Sequence, residues 1–293
     1  MRIHAIQTGW VQVRRNQISA RREDGVRVLR TIVDREWAPP VPIYAWLVEH
    51  PEGLLLIDTG ETARVADPGH LPGWHPYFRR SVRFAVRRDE EIDAQLRALG
   101  VDTADVRWVV LTHLHTDHVG GIRHFPKAEV IVDPTEWRAA GGSSGMLRGY
   151  LPQHWPSALK PRHARFEDGP WGAFESSLRL TSAGDVHILP TPGHTSGHLS
   201  VSVSLPEFEV LFAGDLSYTQ EALLTDRLDG VAPSARLSHR TLRTARRHVG
   251  LRPTVYLPSH DPDSADRLAR RAFVEADNRI QGPSALRGDA GGS

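Results

Sequence analysis

Cysteine is absent from the 293 residues, which excludes disulfides, thiolate zinc sites and cysteine nucleophiles. Any metal must therefore be held by His nitrogen and carboxylate oxygen. A charge surplus is missing too: 36 Lys and Arg face 35 Asp and Glu, a formal charge of +1. Binding a polyanion normally needs clustered excess Lys and Arg, so neither nucleic acid nor an anionic membrane is expected as a partner. No run approaches the roughly 18 apolar residues of a membrane span. The most apolar stretches, Leu54 to Ile57 and Trp108 to Leu111, have the length of buried strands. The opening residues MRIHAIQTGW lack the basic start and apolar stretch of a secretory signal, and the cytoplasm is the expected location.

What is present reads as alternating strands and helices. Ile43 to Val48 and Leu54 to Ile57, joined by His50-Pro51-Glu52-Gly53, predict a hairpin. From Asp89 to Leu99 the positions Ile92, Leu96 and Leu99 fall at helical spacing, acidic residues crowd the first turn, and Gly100 follows as a C-terminal cap. Further strands are expected at Val106 to Leu111, Val130 to Val132, Val186 to Leu189, Leu199 to Val203, Val210 to Phe212 and Thr254 to Leu257, and further helices at Ser234 to Val249 and Asp263 to Ala276. Residues 141 to 177 show neither period and read as a long surface insertion, the kind of loop that often forms a lid or binding wall. The expected organisation is one domain over 1–280 carrying that insertion, with 281–293 a frayed Gly- and Ala-rich tail. Strands and helices in both halves predict a layered α/β fold.

The strongest chemical signal is Thr112-His113-Leu114-His115-Thr116-Asp117-His118-Val119-Gly120-Gly121, directly after an apolar strand. On a strand His113 and His115 share a face, while Asp117 and His118 in the following turn can point back to a second point in space. Imidazole nitrogen and carboxylate oxygen suit zinc and similar divalent ions. A polar surface loop is the bland alternative, and it leaves unexplained why the cluster emerges from a buried strand. Three more candidates each end an apolar run: His194 in Pro192-Gly193-His194, Asp215 in Ala213-Gly214-Asp215, and His260 in Pro258-Ser259-His260. Rigid strand ends are where sites are normally assembled.

The ordered set His-x-His-x-Asp-His, Gly-His, Gly-Asp and Ser-His resembles the metallo-β-lactamase superfamily, and Leu56-Ile57-Asp58-Thr59-Gly60 is similar to its early strand and turn. The resemblance implies an αββα four-layer sandwich with metals at one edge. It implies that His113, His115 and His194 hold one divalent ion, that Asp117, His118 and His260 hold a second, and that Asp215 bridges them. Zinc fits these donors, as do cobalt, iron, manganese and nickel. Asp215-Leu216-Ser217-Tyr218-Thr219 resembles the N-acyl homoserine lactone lactonases, which implies a small-molecule lactone substrate, a quorum-quenching activity and pairing into a homodimer. A relative acting on another lactone, a carboxylic ester or a phosphotriester is the alternative.

By that resemblance a metal-bridging hydroxide would attack the lactone carbonyl, Tyr218 would donate to the developing oxyanion, and Asp117 would move the proton from water to the leaving oxygen. An acyl chain would need an apolar groove. Candidates are Trp37, Tyr44 and Trp46, and Met146, Leu147, Tyr150, Leu151 and Trp155 of the insertion; aromatics at these places suit core or dimer contacts equally. His198, four residues after His194, is a candidate supporting residue. His4, His50, His124, His187, His239 and His248 read as surface or structural, and Arg243, Arg246 and Arg247 as a solvated helix face.

Overall fold

The computed structural model describes residues 1–20, 26–142 and 144–275; the expected tail at 281–293 lies outside them. Strands β1 (Arg2–Val13), β2 (Val41–His50), β3 (Gly53–Ile57), β4 (Val82–Ala85), β5 (Val106–Val110), β6 (Glu129–Val132) and β7 (Arg162–His163) form one sheet in the order β4-β1-β2-β3-β5-β6-β7. Strands β8 (Leu178–Arg179), β9 (Val186–Pro190), β10 (Leu199–Ser204), β11 (Glu209–Gly214) and β12 (Thr254–Pro258) form the second, in the order β12-β11-β10-β9-β8. The helices are α1 (Arg15–Ile18), α2 (Arg27–Val33), α3 (Pro76–Arg80), α4 (Ile92–Ala98), α5 (Thr116–Val119), α6 (Pro134–Gly141), α7 (Gln220–Leu224), α8 (Ala235–Val249) and α9 (Ser264–Arg270). Among the described residues no helix is long and apolar enough to cross a membrane.

The period-two alternation of strand side chains explains the layering. Along β2, Tyr44, Trp46 and Val48 point into the space between the sheets and meet Val201, Phe212 and Leu257 of the second sheet. The intervening Ala45 and Leu47 turn outward against Ile92 and Leu96 of α4. On the far side, Leu211 and Tyr256 turn outward against Leu242, Ala245 and Val249 of α8. Because both faces of the central strands are covered, the strands read as continuous apolar runs. The result is helix, sheet, sheet, helix, the four-layer sandwich expected from the sequence. Trp46 and Phe212, both fully buried, pair across the inter-sheet core with centroids 5.6 Å apart.

The hairpin and the α8 helix, capped by the Ser234 side chain, fall where expected. The helix expected at 89–99 is split: a 3-10 turn at Arg88–Glu90 precedes α4, and Gly100 ends it with φ +76°. The helix expected at 263–276 stops at Arg270, where Arg271 adopts a left-handed backbone; Ala276 lies outside the described residues. The twelve-residue β1 has no counterpart in the sequence reading, because a register shift between Gln7 and Trp10 switches its buried set from Ile6 and Thr8 to Val11 and Val13 and so breaks the alternation. The 141–177 segment corrects the expectation of a surface loop: it contributes β7 to the first sheet and buries Tyr150, Leu151, Ala164 and Phe174.

Both sheets direct strand ends to one edge of the sandwich. There Leu199 N donates to Thr112 O at 2.7 Å and Tyr44 N to Ser259 O at 3.0 Å, so the main chain joins the two sheets around the loops that carry the histidines, while Ser259 N donates to Gly214 O at 3.1 Å within the second sheet.

Candidate metal centre

The seven predicted metal-site residues meet at this edge. His113 Nε2 lies 3.0 Å from His115 Nδ1, which lies 3.1 Å from His194 Nε2. Three ring nitrogens thus converge on one point. Across from them, His260 Nε2 is 3.5 Å from Asp117 Oδ2, and His118 Nε2 is 4.0 Å from Asp117 Oδ1. Asp215 stands between the two groups. Its Oδ1 lies 3.4 Å from both His118 Nε2 and His260 Nε2, and its Oδ2 lies 3.5 Å from His194 Nε2. One carboxylate therefore faces two clusters, one oxygen to each.

Local structure explains how each side chain arrives. His113 and His115 leave the end of β5, and α5 begins immediately, turning Asp117 and His118 back toward the same edge. Gly120 and Gly121 are required there: a Cβ on Gly120 would stand 2.7 Å from Glu61 Oε1, and one on Gly121 2.5 Å from Thr59 O. His194 comes from the β9–β10 loop, Asp215 follows β11 and His260 follows β12.

The outer nitrogens are held by groups the sequence reading gave no role. His118 Nδ1 donates to Asp58 Oδ2 at 2.8 Å, and Asp58 also accepts from Thr112 N and Thr112 Oγ1. Asp58 has φ +58°, a conformation Asp tolerates better than most residues. His194 Nδ1 lies 3.1 Å from Asp229 Oδ2, and His260 Nδ1 donates to Pro42 O at 2.8 Å. Such partners fix ring orientation in metal sites. The Asp58 motif was visible in the sequence; Asp229 and the Pro42 carbonyl carried no signal, since both act across long sequence separations. Buried Glu136 of α6 ties the two histidine loops together, accepting from Leu114 N at 3.1 Å and Gly197 N at 3.3 Å. His198 Nε2 accepts from Asp215 N at 3.0 Å and so supports the backbone of the central carboxylate.

The electrostatics match a cation-binding pocket. Burial pulls His115 down to about 3, with His194 adding to the effect, and pulls His113 well below its ordinary value. Burial also opposes charge on His118, but Asp215 and Asp58 outweigh it and push the group up to about 10. Asp215 stays well below the usual carboxylate range because His260 and His118 more than offset its burial. Two buried atoms inside the cluster, His118 Nε2 and Asp215 Oδ1, have no hydrogen-bond partner. Unpaired buried donors and acceptors are rare unless something else ligates them. The ligand atoms of each of the groups His113/His115/His194, His113/His118/Asp215 and Asp117/His118/His260 lie within 4.8 Å of one another. A nitrogen and oxygen donor set of this kind fits divalent metal ions.

Tyr218 is buried beside the cluster, its ring 5.4 Å from that of His260 and nearly parallel to it. Burial, then Asp215, raises its pKa well above the ordinary value, so the phenol keeps its proton at neutral pH. A cavity of about 380 Å³ opens over Asp117, Asp215 and Tyr218. Its wall corrects the expected groove. Leu147 and Tyr150 line it as anticipated, together with Val28, Ile32, Phe78 and Phe84. Trp37 instead lies between the guanidinium groups of Arg14 and Arg83, and Tyr44 and Trp46 belong to the inter-sheet core. Met146 and Leu151 pack beneath the wall, and Trp155 stacks on Trp137. Of the histidines assigned no site role, His248 is buried against Glu209 at 2.6 Å and His187 stacks on Trp171.

Comparison with known proteins agrees with this geometry. The chain is 37% identical over 182 residues to the probable metallo-hydrolase Rv2300c of Mycobacterium tuberculosis, covering 60% of this chain and 57% of that protein. The match thus spans little more than half of that relative's length. It is 29% identical over 269 residues to the N-acyl homoserine lactonase AttM of Agrobacterium fabrum, covering 90% of this chain and 94% of AttM. Its backbone is similar to a Bacillus thuringiensis AiiA variant crystallised with N-decanoyl-L-homoserine at the active site, with a TM-score of 0.73 at 20% identity over 90% of this chain and 94% of the other. The Metallo-beta-lactamase superfamily model matches residues 38–260, a span that contains the whole cluster from His113 to His260, and the chain belongs to that superfamily.

Proposed function

We propose that this chain is a dinuclear metal-dependent lactonase that opens the ring of N-acyl homoserine lactones and thereby silences a quorum signal. The observation that carries the reading is Asp215 between two ligand clusters, one carboxylate oxygen toward each, with Tyr218 alongside and a cavity above. In this reading His113, His115 and His194 hold one ion, Asp117, His118 and His260 the other, and Asp215 both. The similarity to AttM over 90% of the chain supports the choice of substrate class.

When bound, two such ions supply a water activated for attack at neutral pH and a positive field for the developing oxyanion. The chain's own residues do the rest. Tyr218, protonated and buried, donates to the carbonyl oxygen as negative charge grows there, a contribution of roughly 3 kcal/mol for one well-aimed donor. Asp117, only partly buried, accepts the proton released as water adds to the carbonyl and returns it to the ring oxygen as the C–O bond breaks. Water and lactone are consumed and one hydroxy acid forms. The apolar side chains of Val28, Ile32, Phe84 and Leu147 exclude water and receive the acyl chain. A cavity of about 380 Å³ falls within the range of small-molecule sites.

The test is proton release on mixing metal-loaded protein with N-hexanoyl and N-decanoyl homoserine lactones, beside an unsubstituted γ-lactone, an aryl ester and a phosphotriester. Preferential opening of the acylated lactones, with Tyr218→Phe reduced about a hundredfold and Asp117→Asn lower still, is the expected result. Faster turnover of the ester or the phosphotriester would overturn the substrate assignment.

A further inference from the structure

We propose that Gln17 is a positioning residue for Tyr218, fixing the direction in which the phenol donates its proton. The proposal rests on the lactonase reading only for its choice of substrate. Gln17 lies on the four-residue α1, far in sequence from the clustered histidines, yet it is 4% exposed and lines the cavity. Its Nε2 donates to Tyr218 OH at 2.9 Å and to Tyr77 OH at 2.9 Å. A side-chain amide nitrogen carries two hydrogens, and both are thereby used on phenol oxygens. Each phenol oxygen is occupied as an acceptor from that side, so its own hydrogen must point elsewhere. For Tyr218 the remaining direction is the cavity that it lines with Asp117 and Asp215.

The main chain beneath the amide is held firmly: the Gln17 backbone N donates to Arg14 O and the Gln17 backbone O accepts from Gly230 N, both at 2.9 Å. On the side chain itself the two phenol contacts are the anchors, since the buried Oε1 has no hydrogen-bond partner among the described residues. Gly230 follows Asp229, the residue that orients His194. A Cβ on Gly230 would meet Asn16 O at 2.1 Å, so the two segments are in close backbone contact. Thr31 Oγ1 closes the junction, accepting from Asn16 Nδ2 at 2.9 Å and donating to Gly230 O at 3.1 Å. The same short helix therefore sets the polarity of Tyr218 and braces the loop behind one cluster histidine. A phenol free to rotate would spend part of its time donating to Tyr77 or Gln17, and preorganised donors act because no such reorientation is needed during reaction.

Zinc-loaded wild type, Gln17→Met, Gln17→Glu, Tyr218→Phe and the Gln17→Met/Tyr218→Phe double variant are compared on N-hexanoyl homoserine lactone, with zinc content and thermal melts measured for each. Gln17→Met keeps the volume and loses the donor; kcat falls about tenfold, the scale of one hydrogen bond, while KM stays within about twofold. Gln17→Glu accepts from both phenols and turns the Tyr218 proton away, so kcat falls further. In the Tyr218→Phe background Gln17→Met has no additional effect. Wild-type kcat in both Gln17 variants, or losses that multiply in the double variant, would overturn the proposal. If the wild type opens no acylated lactone, the lactonase reading fails and this inference is judged separately. In zinc-loaded protein carrying 13C-tyrosine, the Tyr218 Cζ resonance, identified by its loss in Tyr218→Phe, shifts on Gln17→Glu; a resonance that stays put overturns the proposal.

Discussion

The floor of the cavity and its wall are built on different principles. The floor is polar, buried and over-determined. Each of its imidazoles other than His115 has its outer nitrogen fixed by a group of the chain: Thr112 for His113, Asp58 for His118, Asp229 for His194 and the Pro42 carbonyl for His260. The wall is apolar and assembled from α2, α3, β4 and the 141–177 segment, with Phe78, Val82 and Leu151 sharing one apolar cluster. The two regions therefore divide the work between them. Residues in the floor should set metal binding and rate together, whereas residues in the wall should set which substrate is accepted.

The largest expected effect breaks the floor at its centre. Asp215→Ala removes the only carboxylate among the described residues that faces both clusters, so activity should fall to background and elemental analysis should show loss of at least one ion. A retained pair of ions would break the claim that Asp215 joins the clusters. Next is Asp58→Ala, which leaves all seven clustered side chains in place and removes the partner of His118 together with the acceptor of Thr112 N and Thr112 Oγ1. Metal affinity should fall about 10- to 100-fold, the usual consequence of losing such a partner, read by competition with a chelator. An unchanged affinity would mean that the backbone alone orients His118.

Wall substitutions should behave differently. Phe84→Ala and Leu147→Ala should shift the ratio of kcat/KM between decanoyl and hexanoyl substrates about tenfold, the scale of a few methylenes in an apolar pocket, with the metal content intact. A fall in metal content would merge the two regions and void the comparison. The smallest effect lies outside both. Asp93 is held down to about 2 by Arg88, which pairs with both of its oxygens at 2.7 Å. Because the folded pKa lies below the unfolded one, this stabilisation is present above about pH 4 and is lost as pH falls through about 2. Arg88→Gln should therefore lower stability at pH 7 by roughly 1 kcal/mol or less, and flatten the acid end of the stability curve, without touching lactone hydrolysis.

The same division governs what the sequence could convey. The floor was readable because its clustered side chains sit in short motifs at the ends of apolar strands: His113 to His118 after β5, Asp215 after β11 and His260 after β12. The layered fold followed from the apolar runs of those strands and from the helical spacing of Ile92, Leu96 and Leu99. The wall was opaque for physical reasons. The bulge between Gln7 and Trp10 hid β1, α1 is too short to show a period, α2 buries the polar Arg27 and Thr31 and so shows no apolar stripe, and the irregular 141–177 segment gave no sign that it joins a sheet. Trp37, Tyr44 and Trp46 were credible groove residues by type alone, and only their packing between Arg14 and Arg83 or between the two sheets removes them. Gln17, Asp229 and the Pro42 carbonyl act over separations of 201, 35 and 218 residues, beyond any local pattern.

The central claim, that two clusters joined by Asp215 form one working site, is tested most directly by stripping the protein of metal and restoring zinc stepwise while following ring opening of N-hexanoyl homoserine lactone. The account predicts no turnover in the stripped protein and a rate that reaches its ceiling at two ions per chain. Turnover without metal, or a ceiling at one ion per chain, would contradict it.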